Sequence, residues 1–100
     1  MFKISIIERR SQRRLVLEGK LVAPWTAELK TACEKAKTDL RERELIIDIK
    51  NLTAISQEGE NLLLELMQDG VAFRSRGVFT KHVLGQIARR ARRGIQETTE

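Results

Sequence analysis

The chain of 100 residues has no tyrosine, and only one cysteine, one proline and one histidine. The lone Cys33 excludes an internal disulfide and a thiolate metal cluster. A zinc site needs several His or Cys ligands, and the chain has two such residues in total, Cys33 and His82. His82 stands beside Lys81 with no acidic residue in that segment, so it reads as a surface histidine and not as the base of a hydrolase triad. No Gly-Lys-Ser/Thr phosphate loop and no GxGxxG run is present. Glu58 and Glu60 are close, but nothing beside them would drive their pKa values apart. The expectation is a protein that is not an enzyme and uses no cofactor or metal. No apolar run approaches the ~20 residues of a membrane span, and the start, MFKISIIERR, lacks the pattern of a secretory signal. The chain is therefore expected to be soluble and cytoplasmic, with no membrane partner. Its aromatic residues are four, Phe2, Trp25, Phe73 and Phe79, so the core must be mostly aliphatic.

The length fits one domain and is too short for two. At 41% hydrophobic residues the composition is that of a globular chain. The net charge of +5 is unevenly placed. Residues 1–44 carry 11 basic and 7 acidic groups, residues 45–70 carry 1 and 5, and residues 71–100 carry 7 and 2. An acidic centre thus lies between basic flanks, which bears on partner choice more than the total does.

That centre organises the chain. Leu45, Ile46, Ile47 and Ile49 form an apolar run of strand length, and a short turn follows, ending at Ser56-Gln57-Glu58-Gly59. Leu62, Leu63, Leu66 and Met67 then repeat as the inner stripe of a helix. Strand, turn and helix in succession make half of a βαβ unit, and the turn falls on the rim where open α/β sheets present their function. Before this, Phe2, Ile4 and Ile6 alternate with polar residues as a half-buried strand. Glu8–Arg14 reads as a solvated connector, and Leu15–Val22 as the second strand of a hairpin, with a bulge or bend at Gly19. Pro24 suits the first turn of a helix whose inner stripe is Trp25, Leu29, Ala32, Cys33, Ala36 and Leu40. Trp25 is expected to close one end of the core, Cys33 to be a buried thiol, and Asp48 to be satisfied by a neighbouring loop. Val71–Phe73 is a short strand. Thr80 reads as the N-cap of a last helix, with Phe79 stapled to Leu84, and Gly94 as its stop. The order is ββαβαβα: a small mixed sheet of about four strands with three helices mainly on one face. Residues 1–94 form the domain and 95–100 a frayed tail.

This order, together with the central stretch, resembles the STAS domain, the sulfate-transporter and anti-sigma-factor-antagonist family, over roughly residues 2–90. Ile46-Ile47-Asp48 looks like the family's aliphatic strand ending in Asp, and residues 51–55 look like its loop. Ser56-Gln57-Glu58-Gly59 stands where the family has Asp-Ser-Ser-Gly. The resemblance implies a non-enzymatic module that binds a protein partner such as an anti-sigma factor or kinase-like regulator, through Ser56, Gln57, Glu58, Gly59, Glu60 and Asn61. In the bacterial antagonists the partner kinase phosphorylates the second serine of the motif, whose position is Glu58 here. Glutamate carries one negative charge where phosphoserine carries about −1.5 to −2. The resemblance therefore implies that the usual switch is lost: the surface is either fixed in a charged, phospho-like state or binds something quite different. A plainer reading of the same residues is structural: Ser56 is a good N-cap, Glu58 suits the helix dipole, and Gly59 allows close helix-on-strand packing.

The run Ala88-Arg89-Arg90-Ala91-Arg92-Arg93 supports an alternative. Arg89, Arg90, Arg92 and Arg93 near a helix C-terminus could contact an anionic partner, including nucleic acid. No aromatic residues interleave with them for base stacking.

Overall fold

The computed structural model describes the backbone of residues 1–98 and the side chains of 1–77 and 79–92. The elements are β1 (Phe2–Glu8), β2 (Gln12–Leu21), α1 (Trp25–Lys37), β3 (Glu44–Ile55), α2 (Gln57–Gln68), β4 (Ala72–Arg74) and α3 (Val78–Thr98). The expected ββαβαβα order and mixed four-stranded sheet are what the structure shows. The strands lie in the order β1-β2-β3-β4, with β1–β2 antiparallel and the other two pairs parallel. Both crossovers step the same way across the sheet, and right-handed connections then put α1 and α2 on one face. One aliphatic cluster joins that face to the helices. Leu15, Leu17, Leu21, Leu45, Ile47, Ile49 and Leu52 of the sheet meet Leu29 and Cys33 of α1, Leu62, Leu63 and Leu66 of α2, and Val83 and Ile87 of α3. Among the described residues, no helix is long and apolar enough to cross a membrane.

β3 is longer than expected. Residues 51–55, read above as a loop, extend the strand to Ile55 and pair with Glu18, Gly19, Lys20 and Leu21. Register shifts between Val16 and Glu18 and between Gly19 and Lys20 permit this, with Gly19 at a φ of 98°. A Cβ on Gly19 would also lie 2.1 Å from the Met1 carbonyl oxygen, so glycine is required there on two counts. Asp48 lies on the sheet face turned away from the helices and is only 3% exposed. No loop satisfies it. Its Oδ1 accepts the Lys50 backbone N–H at 3.0 Å, and Arg14 and Lys50 each approach Oδ2 to 3.8 Å.

α1 ends at Lys37, before the expected Leu40. Asp39, Arg41 and Glu42 then adopt positive φ, a conformation no glycine in the link announced. Arginines hold this turn. Arg43 donates to the carbonyls of Leu40 and Asp39, and Arg13 to those of Ala36 and Thr38. Arg13 is thus a strand residue capping the end of α1, where a solvated connector was expected. Trp25 is half-buried at the head of α1 and stands outside the aliphatic cluster. α3 begins at Val78, two residues before the expected cap. Thr80 is therefore buried in the first turn, its hydroxyl donating to the Arg76 carbonyl, and Phe79 is 46% exposed instead of stapled. The helix continues through Gly94 to Thr98, so that glycine is not its stop; residues 99–100 of the expected tail lie outside the described residues.

Two expected results follow from this packing. Glu8 receives hydrogen bonds from Arg13 at 2.8 and 3.1 Å and from Arg43 at 2.9 Å. The Arg13 hydrogen bond lowers its carboxyl most; desolvation, the next largest effect, opposes it, and the charges of Arg13 and Arg43 and the Arg43 hydrogen bond keep it below the ordinary value of 4.5. A lowered folded-state pKa contributes stability above the ordinary value and loses it as pH falls through the lowered one. Urea midpoints of wild type and Glu8→Gln should therefore differ at neutral pH and converge on acidification; a constant gap would show that the charge of Glu8 is not what matters. Cys33 is 1% exposed, and burial pushes its thiol up to about 11. It should react with a disulfide reagent at the rate of structural opening and immediately in denaturant. Prompt reaction of the native protein would contradict the packing of α1.

Candidate functional site

The chain leaves the end of β3 at Ile55 and turns directly into α2 at Gln57. Ser56 makes the turn and is fastened to β2. Its backbone N–H donates to the Leu21 carbonyl at 3.0 Å, and its hydroxyl donates to the same oxygen at 3.3 Å. The Ser56 Oγ also accepts the Gly59 N–H at 3.1 Å, the hydrogen bond of an N-cap. The hydroxyl is thus committed to holding the helix start. Gly59 is buried, so it belongs to the packing beneath the surface and offers no side chain to a partner. A Cβ there would stand 2.6 Å from the Leu21 carbonyl oxygen.

Above this base, Gln57, Glu58 and Asn61 are exposed, and Glu60 is half-buried. Gln57 donates to the Asn61 Oδ1 at 3.1 Å, one turn along the same helix. Glu58 and Glu60 occupy the first turn, where the dipole favours negative charge by ~0.3–1 kcal/mol. Glu65 and Gln68 continue the exposed side of α2.

The packing of α3 against α2 adds what the one-dimensional order concealed. Arg90 donates to the same Asn61 Oδ1 at 2.9 Å. Gln57, Glu60, Gln86, Arg89 and Arg90 together line a groove of about 530 Å³. Two of the four candidate arginines, Arg89 and Arg90, therefore join the rim instead of forming a separate patch. Arg92 is exposed and does not line the groove, and the Arg93 side chain lies outside the described residues. Gln86 was not anticipated, because no local pattern marks which polar residue of α3 faces α2. Chemically the surface is a set of amide and carboxylate groups edged by guanidinium groups, suited to polar and ionic contacts. Among the described residues, no group of three or more His, Cys, Asp or Glu is arranged to hold a metal ion. His82 is exposed on α3 and away from the groove lining.

No protein-family model matches the sequence, and no curated protein is similar to it. Solved structures do resemble it. An uncharacterized protein of the DUF3478 family from Shewanella loihica PV-4, described as having a SpoIIAA-like fold, superimposes with a TM-score of 0.55 at 20% identity. The match covers 79% of this chain and 71% of that one. A second structure, Mglu, gives a TM-score of 0.57 at 17% identity, over 74% of this chain and 19% of that one. This chain thus corresponds to about a fifth of Mglu's length. The fold is SpoIIAA-like, that is, STAS-like. At these identities the likeness concerns the fold alone.

Proposed function

We propose that this protein is a non-enzymatic, regulatory interaction module of the STAS type. It binds a protein partner through the rim formed by Gln57, Glu58 and Asn61, with Glu65 and Gln68 below and Arg89 and Arg90 beside. The observation that carries this reading is the exposure of those α2 side chains at the carboxyl end of a central strand, on a base locked to β2 through the Leu21 carbonyl. The SpoIIAA-like fold supports an interaction module in general, and the motif resemblance in the sequence is the reason for choosing this turn. Glu58 occupies the position of the phosphorylated serine, so the surface keeps a permanent charge and is not switched by serine phosphorylation there. An anti-sigma factor or a kinase-like regulator is the partner class the resemblance implies.

The test uses the protein as bait, with Glu58→Lys combined with Asn61→Arg as the comparison. A captured protein that depends on the rim should be lost with the double variant. If every captured partner is unchanged, the surface is wrongly placed. Nuclease treatment of the same captures addresses the nucleic-acid alternative. Binding that disappears with nuclease and falls steeply with salt would assign Arg89, Arg90 and Arg92 to phosphate contact instead.

A further inference from the structure

The two edges of the sheet are built differently. β4 spans only three residues and carries Arg74, with Arg76 just beyond. It is short and charged, as protected edges are. β1 spans seven residues, contains no proline, and pairs with β2 in an unbroken register. Its Ile6 is 58% exposed. The backbone groups of β1 alternate in direction. The bonds from Arg9 N–H to the Gln12 carbonyl and from Lys20 N–H to the Met1 carbonyl show that odd-numbered residues bond to β2. The N–H and C=O groups of Phe2, Ile4, Ile6 and Glu8 therefore point out of the sheet. Beside this edge a groove of about 780 Å³ runs between β1 and α1, lined by Ile4, Ile6, Ala27, Thr31 and Ala32 among others.

We infer that a second copy of this chain occupies the edge, β1 against β1 about a two-fold axis through Ser5, making one continuous sheet. The register selects this occupant. Full overlap of Phe2–Glu8 with itself pairs Ile4 with the second copy's Ile6, and Phe2 with its Glu8. Those are the residues whose backbone groups point outward, so each outward N–H and C=O finds a partner. An overlap shifted by one residue would set outward groups against inward ones. The helices agree with the same axis. α1 returns the chain from the end of β2 to the start of the parallel β3, so it runs antiparallel to β2 and parallel to β1. The two-fold axis then sets the two α1 helices antiparallel across the groove. Glu28 and Lys35 both line that groove, two helical turns apart. An axis that passes over the middle of this stretch, near Thr31 and Ala32, brings each Glu28 toward the other copy's Lys35. An isologous interface requires this kind of self-complementarity. The contact consists of one strand edge and one groove, so the dimer is weak and depends on concentration.

Ser5 lies on the axis, opposite its own copy in a pair without hydrogen bonds, where the Cα atoms stand ~4.5 Å apart. That is within disulfide range. The Ser5→Cys variant should form a covalent dimer under mild oxidation. Lys3→Cys should not, because Lys3 faces Ile7 of the other copy. Light scattering over an about hundredfold concentration range should show wild-type mass rising toward twice the monomer. Ile6→Lys, folded by circular dichroism, should stay monomeric throughout. A wild type that remains monomeric overturns the inference, as does an Ile6→Lys protein that dimerises equally. A dimer in which Lys3→Cys cross-links as readily as Ser5→Cys overturns the register and with it the assigned interface.

Discussion

Gly59→Ala is expected to lower the free energy of unfolding by about 1–3 kcal/mol, although alanine is the better helix former. The added methyl would meet the Leu21 carbonyl oxygen at 2.6 Å, the Ile55 Cγ2 at 3.0 Å and the Leu21 Cγ at 3.1 Å. The first of these is backbone and cannot rotate away. The same oxygen receives both hydrogen bonds from Ser56, so displacing it loosens the N-cap as well. Gly85→Ala is the internal control. Nothing lies within 4 Å of a Cβ built there, so alanine should stabilise α3 by up to ~1 kcal/mol. Denaturant unfolding of the two variants should move in opposite directions. A Gly59→Ala protein as stable as wild type would mean that α2 does not sit this close to β2. The outcome also bears on the sequence motif, since it assigns the glycine to packing.

The second large effect is on affinity. Glu58→Lys with Asn61→Arg should weaken binding to the captured partner by roughly 30-fold or more, the ~2 kcal/mol that marks an interface hot spot. Lysine reverses the charge at Glu58. Arginine at position 61 removes the acceptor shared by Gln57 and Arg90 and brings a second guanidinium against Arg90. Both sites are exposed, so reversing Glu58 in the first turn and removing the Asn61 acceptor should lower stability by only about 1 kcal/mol, leaving the protein folded. Titration calorimetry and urea unfolding of the same two proteins separate the effects. A loss of affinity matched by a loss of stability would point to damage of the fold instead.

The fold was readable because its main signals are periodic. Leu62, Leu63 and Leu66 line the core as their spacing requires, and Leu45, Ile47 and Ile49 do so at strand spacing. Boundaries set by tertiary contact were not readable. In residues 51–55 the apolar Leu52, Ala54 and Ile55 are interrupted by Asn51 and Thr53 and continue no single face of the preceding run, and it is pairing with a bulged β2 that extends the strand. α1 stops at Lys37, where Arg13 from β2 binds the Ala36 and Thr38 carbonyls and the Thr38 hydroxyl donates to the Lys35 carbonyl, while Arg43 holds the turn beyond; the contact from Arg13 is invisible to local sequence. At the candidate site, Ser56 as N-cap was legible from residue type and position. The bond from Arg90 to Asn61 was not, since 29 residues separate them and only the packing of α3 on α2 brings them together.

The double attachment of Ser56 to Leu21 sets the character of any encounter at this end of the molecule. The outward-facing groups rise from a foundation pinned to the adjoining strand, so a visiting molecule meets a shape already set. Little backbone ordering entropy is forfeited on docking, where a floppy segment would give up ~1–2 kcal/mol for each residue it fixed. Such a relief favours lock-and-key selectivity over adaptability, and suits a component whose task is to distinguish one visitor from its near relatives.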